Sequence, residues 1–166
     1  MIRSLFLLAA SFVLMGTSCT PPLVCSNSLD GSDLGFTLVA PADFECTSSF
    51  PAQTGLIQGL VTYQKTGTSV QLIVFVGDPS SADEIVDDGA PSGGSCDDIG
   101  VLTTANGIAF ERCMSTEAGT GNVSFAASAN LPVGANILLV ILVAEADDAG
   151  GLEDTLNTIL ESVAFP

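Results

Sequence analysis

No histidine and no tryptophan occur anywhere in the chain, and only three of its 166 residues are basic against 19 acidic ones. Each absence excludes something. Serine and cysteine hydrolases take their nucleophile's proton with a neighbouring base, usually histidine, and this chain has none to offer. Zinc sites built from Cys and His sets are excluded by the same absence, and the cysteines lack CxxC spacing. Nucleic-acid binding needs Lys and Arg to meet phosphates, so a polyanion is repelled by that class of partner. An anionic lipid surface repels it too. The chain also lacks the run of about 20 apolar residues that a membrane-spanning helix requires.

What is present begins with an export pattern. Arg3 supplies a positive start, the apolar stretch LFLLAASFVLM follows from Leu5 to Met15, and Gly16, Thr17 and Ser18 are small. That order of charge, short apolar run and small residues marks residues 1–18 as a signal peptide, outside the folded body. Thr17, Ser18 and Cys19, followed by the proline-bearing stretch TPP, resemble a bacterial lipobox, with Gly16 standing where a leucine is typical. The resemblance implies that Cys19 is the lipidated first residue of the mature chain. The alternative is a cleaved secretory peptide with Cys19 free or paired. Parity favours lipidation: Cys19, Cys25, Cys46, Cys96 and Cys113 make five cysteines, and acylating the first leaves four for two disulfides. Four cysteines permit three connectivities. Pairing Cys25 with Cys46 and Cys96 with Cys113 closes short loops and is preferred. The expected location is the bacterial cell envelope, anchored through the lipid and facing the periplasm or the exterior, where disulfides persist.

Beyond residue 18 only Lys65 and Arg112 remain to oppose 19 carboxylates, a formal charge of 2 − 19 = −17. Such a charge speaks first to solubility. Residues 19–33 are rich in turn formers and read as a tether, and residues 34–166 as a single α+β domain. LGFTLVAP, IQGLVTYQK, SVQLIVFVG, the two runs flanking Asn106-Gly107, NVSFAASANL and NILLVILVAEA carry strand patterns. Asn106-Gly107 predicts a two-residue hairpin turn. In NVSFAASANL, Val123, Phe125, Ala127 and Ala129 share one face, while Ser124 and Ser128 share the other. Pro79 with Ser80 or Ser81 predicts a short helix over 82–86. Leu152, Leu156, Ile159, Leu160 and Val163 fall on one face of a closing helix, with Glu153, Asp154, Asn157, Thr158 and Glu161 facing water.

The order of these elements carries a resemblance. GFTLVAPADFE opens the domain, with Gly35-Phe36 entering a strand that ends at Pro41. An ANG hairpin and the strand pair joined by LPVGAN follow, and LNTILESVAFP closes it. This is similar to the PsbP-like and DcrB-like envelope proteins over residues 34–166. The resemblance implies an antiparallel sheet of about five to six strands packed against the C-terminal helix and a short second helix. It also implies a non-catalytic binding or accessory role with no cofactor, toward an unspecified protein or small ligand of the envelope. The contact surface would be the sheet face not covered by the closing helix, or the acidic loop 78–98. That loop raises a second possibility. Asp83, Glu84, Asp87 and Asp88, with Asp97 and Asp98 beyond the Gly-rich stretch, are hard oxygen donors of the kind that hold Ca²⁺ in a calcium-binding or adhesion module. Asn27, Asp30 and Asp33 hint at a second calcium turn. Neither group has EF-hand spacing.

Overall fold

The computed structural model describes residues 23–53, 57–80 and 96–166, the side chains of 50–53 and 57 excepted. Nine strands lie in that portion: β1 (Ser28–Gly31), β2 (Phe36–Val39), β3 (Phe44–Gln53), β4 (Ile57–Lys65), β5 (Gln71–Gly77), β6 (Asp97–Thr103), β7 (Ala109–Thr116), β8 (Val123–Asn130) and β9 (Ile137–Ala144). One α-helix, α1 (Leu152–Glu161), follows them, and 3-10 turns occur at Ser32–Leu34 and Ala146–Asp148. Strands β3 to β9 form one seven-stranded sheet in the order β3-β4-β5-β9-β8-β7-β6, antiparallel at every pairing. β1 and β2 make a separate two-stranded ribbon.

The architecture is the α+β one, but the expected five to six strands are too few. Two strands escape a periodicity reading. β1 has four residues inside a turn-rich stretch. β3 is polar over CTSS, contains Pro51 and is bulged between Cys46 and Ser48. It lies at a sheet edge, where proline and bulges are tolerated because one side of the backbone has no partner strand.

The long apolar strands sit in the middle, where both sheet faces are covered. In β5 and β9, Leu72, Val74, Val76, Leu138, Val140 and Leu142 point toward α1 and the β1–β2 ribbon. Phe75, Leu139 and Ile141 point the other way and are also buried. Helix α1 lays Leu152, Leu156, Ile159 and Leu160 on the first of these faces. Glu153 and Asp154 stand in its first turn, where the helix dipole favours negative charge. The ribbon is stitched to the end of the helix. Thr37 and Ala164 exchange backbone hydrogen bonds of 2.8 and 3.0 Å, and the Val39 N–H donates to Ser162 Oγ at 3.0 Å.

The stretch expected as a tether is folded from Leu23 onward. Leu23 and Leu29 are buried in the main core, with Leu23 packed so closely over Gly59 that a Cβ there would lie 2.7 Å from its Cδ1. The Tyr63 hydroxyl donates to the Ser26 carbonyl at 2.8 Å, and burial pushes the phenol's pKa up to about 12. Leu23 and Leu29, the pairing of β1 with β2 and a bond between Cys25 and Cys46 together anchor the segment.

The hairpin at Asn106-Gly107 differs by one residue from the two-residue turn. The Thr104 N–H donates to the Ile108 carbonyl at 2.9 Å, the Gly107 N–H donates to the Thr104 carbonyl at 2.9 Å, and Gly107 takes a φ of 78°. A three-residue loop with glycine in the left-handed position results. Asn106 is used elsewhere: its side-chain amide donates to the Val163 carbonyl at 2.9 Å, pinning the turn to the chain after α1.

The loops at the far end of the sheet give a pH prediction. The Ser69 N–H donates to Asp148 Oδ2 at 2.6 Å, while Ser69 Oγ accepts from the Glu145 N–H at 3.0 Å. The Ser69 backbone bond chiefly, with its side chain, holds the Asp148 carboxyl below its ordinary 3.8. A depressed carboxylate stabilises the fold above its unfolded pKa, and that stabilisation is lost as pH falls through the folded value. Asp148→Asn is therefore expected to lower the thermal midpoint at neutral pH. The gap to wild type should close as pH drops below 3.8. Parallel melts of the two proteins across that range check it.

Candidate functional site: a groove on the sheet face opposite the helix

Strand register places the site. Val101, Glu111, Ser128 and Leu139 are successive cross-strand partners from β6 to β9. Asp98, Cys113, Ala126 and Ile141 form the next row. Direct partners share a face, so both rows stand on the side away from α1. The small side chains of β8 leave the sheet surface low there. A groove of about 710 Å³ lies over these rows, floored by Ala126, Leu139 and Cys113 and flanked by Val101, Glu111 and Ser128. Its size falls within the range of small-ligand sites, about 300–1,000 Å³. Val101 is 61% exposed, an apolar side chain open to water at the rim. Beyond the groove the Ser115 and Ser124 hydroxyls satisfy one another at 2.6 Å.

The disulfides frame the sheet. Cys25 is bonded to Cys46 with Cα atoms 5.7 Å apart, and Cys96 to Cys113 with Cα atoms 5.4 Å apart. The first holds β3 and the second holds β6 to β7, so each brace sits at one of the two edges of the seven-stranded sheet. The second also forms a wall of the groove. The offset between Cys96 and Cys113 is taken up by the three-residue hairpin loop and by a bulge between Asp98 and Gly100.

The two cations are committed. Lys65 Nζ lies 3.3 Å from Asp43 Oδ2 and beside the Phe44 ring. Arg112, on the opposite face of β7 from Glu111, reaches α1: its Nη1 donates to Glu153 Oε1 at 3.2 Å and to Asn157 Oδ1 at 2.9 Å. Its side chain is 11% exposed, and its Nε has no hydrogen-bond partner among the described residues. Asn157, expected to face water, is half-buried in this contact. Arg112 thus ties the groove strand to the helix across the sheet.

Among the residues expected to bind calcium, Asp83, Glu84, Asp87 and Asp88 lie outside the described residues, as do Cys19, the signal peptide and the helix over 82–86. Asp97 and Asp98 are described and do not converge. They are adjacent in β6, so their side chains leave opposite faces. Asp98 Oδ1 instead accepts the Gly100 N–H at 2.7 Å, inside the bulge. Asp30 Oδ1 likewise accepts the Ser32 N–H at 3.0 Å, where β1 passes into the 3-10 turn at Ser32–Leu34. Among the described residues no group of three or more Asp, Glu, Cys or His side chains is placed to share a metal.

The sequence reading did not single out Val101, Glu111, Ala126 or Ser128. The signal was present in NVSFAASANL, whose second face carries three small residues in succession, Ser124, Ala126 and Ser128. A sheet face of that composition leaves room above it.

No protein-family model matches the chain, and no curated protein sequence matches it. Solved structures do. CyanoP, the cyanobacterial PsbP of Synechocystis sp. PCC 6803, superimposes with a TM-score of 0.54 at 12% identity, over 82% of this chain and 89% of that one. The fold is PsbP-like. A point mutant of the protein Mog1 matches with a TM-score of 0.50 at 11% identity, over 83% of this chain and 94% of its own. LpqN, involved in cell envelope biogenesis of Mycobacterium tuberculosis, matches at 17% identity over 79% of this chain and 83% of that one. Its TM-score is 0.49. At these identities a PsbP-like fold is a statement about architecture, and function has to be argued from the site.

Proposed function

We propose that this chain is a non-catalytic, lipid-anchored domain of the bacterial cell envelope with a binding or accessory role, and that the groove over β6 to β9 is its contact surface. The observation that carries the reading is the groove itself: apolar at its floor, open at Val101, and without histidine or a free thiol among its described lining. Two disulfides support export, because such bonds persist in oxidising compartments. The lipobox-like Cys19 supplies the anchor, and the acidic body stays in solution beside the membrane. The described residues from 23 onward form one body under this reading, with a tether shorter than the sequence alone implies.

The test is retention of envelope components on the immobilised mature domain. Val101→Lys and Ser128→Tyr obstruct the groove from exposed or half-buried positions. Each is expected to abolish retention of whatever the wild type enriches, while Val39→Lys, on the ribbon, leaves it intact. Equal retention by all three variants would remove the groove from the account.

The calcium module is the weaker reading, since Asp97 and Asp98 diverge. The thermal midpoint is expected to stay unchanged on addition of millimolar calcium. A clear rise would restore that alternative.

A further inference from the structure

The charges around the groove narrow the class of partner. Glu111 is exposed in the first row and takes part in neither of the two ion pairs among the described residues, Lys65–Asp43 and Arg112–Glu153. Those pairs use both basic residues that the chain carries after residue 18. The body therefore has no described cation left to neutralise Glu111 from within. Directly across from that carboxylate stands Val101, 61% exposed, with Asp98 and the Cys96–Cys113 bridge beside them, so open apolar surface meets a negative rim. Long cationic side chains suit such a surface, because Lys and Arg lay a hydrocarbon stem on apolar atoms and keep the charged head at the edge.

We propose that the groove takes a cationic, amphipathic peptide segment of a partner protein, with its apolar atoms against the exposed Val101 and an ammonium or guanidinium against Glu111, its register partner. This rests on the groove being the contact surface and adds the partner's chemistry. A second copy of this chain is a poor occupant, since its residues beyond 18 bring a formal charge of 2 − 19 = −17 to the same rim. An acidic partner fails for the same reason. The remote field of the body draws the segment in at low salt, while Glu111 and Val101 decide where it sits.

The experiment titrates the oxidised mature domain with a synthetic alternating Lys-Leu peptide and follows backbone amide shifts, with an alternating Glu-Leu peptide as control. The expected result is a set of shifts confined to residues 98–101, 111–113 and 126–128 with the Lys-Leu peptide, and none with the Glu-Leu peptide. Glu111→Lys is then expected to weaken binding by about tenfold or more, the scale of a lost close charge pair. Asp33→Lys makes the same change in net charge at an exposed site on the 3-10 turn. It should weaken binding by only about twofold to threefold, through the long-range field alone. Both variants alter exposed side chains, and their spectra report folding directly. Equal losses in the two variants, or shifts spread over the whole acidic surface, would overturn the proposal by reducing it to net charge. Should envelope material require an open groove while the Lys-Leu peptide leaves it untouched, the partner's chemistry is wrong and the contact surface stands.

Discussion

Cys25→Ser, Cys46→Ser, Cys96→Ser and Cys113→Ser combined are expected to remove about 6 kcal/mol of stability, the largest effect predicted for any change in this protein. The bridges close loops with sequence separations of 21 and 17. In the chain-entropy description each such loop contributes about 3 kcal/mol by restricting the unfolded chain. Whole domains are stable by only about 5–15 kcal/mol, so the quadruple variant should be largely unfolded or close to it. Position adds to the argument. Edge strands are where a sheet opens first, and the two bridges hold β3 and β6, the two edges. Denaturant melts with and without reductant measure the effect, and each pair removed alone should account for about half. Loss of Cys96–Cys113 should also disorder the groove before the rest, visible as early hydrogen exchange in β6. A full-length midpoint indifferent to reductant would mean that the bridges brace nothing.

Phe36→Ala is expected to cost about 3–5 kcal/mol, the range for deleting a buried phenylalanine ring. The ring is fully buried, and it lies over Gly31, its register partner across the β1–β2 ribbon. A Cβ at Gly31 would overlap the ring edge, so only glycine leaves room for the phenylalanine there. Gly31→Ala should accordingly destabilise the wild type, and its cost should shrink in the Phe36→Ala background, where the clash is gone. That non-additivity is what a double-mutant cycle reads. Equal costs of Gly31→Ala in both backgrounds would show that ring and glycine are not in contact.

Most of the fold was readable wherever a strand or helix has one buried face. β5 and β9 announce themselves as apolar runs, β8 by alternation, and α1 by its 3.6-residue spacing. Elements whose register depends on local backbone chemistry were not readable to the same degree. β3 is polar, bulged and interrupted by proline, and nothing in its composition separates an edge strand from a loop. Asn106-Gly107 signalled the hairpin but not its loop length. The Asn106 amide donates to the Val163 carbonyl, a partner 57 residues away, and the loop holds three residues instead of two. One residue of slip reverses which side chains face the groove. For that reason Val101 and Glu111 could not be placed together from sequence. Arg112 was unreadable for a related reason: its partners Glu153 and Asn157 come from α1, 41 and 45 residues on. The cysteines were the exception among long-range contacts, since the four left once Cys19 is set aside admit only three pairings.

Anchoring, oxidation and export meet in one quantity, the intact mass of the mature protein purified from bacterial membranes without reductant. The account predicts a chain beginning at Cys19, heavier by thioether-linked acyl groups, and lighter by the four hydrogens that two disulfides remove. An unacylated chain, or one retaining those four hydrogens, contradicts it.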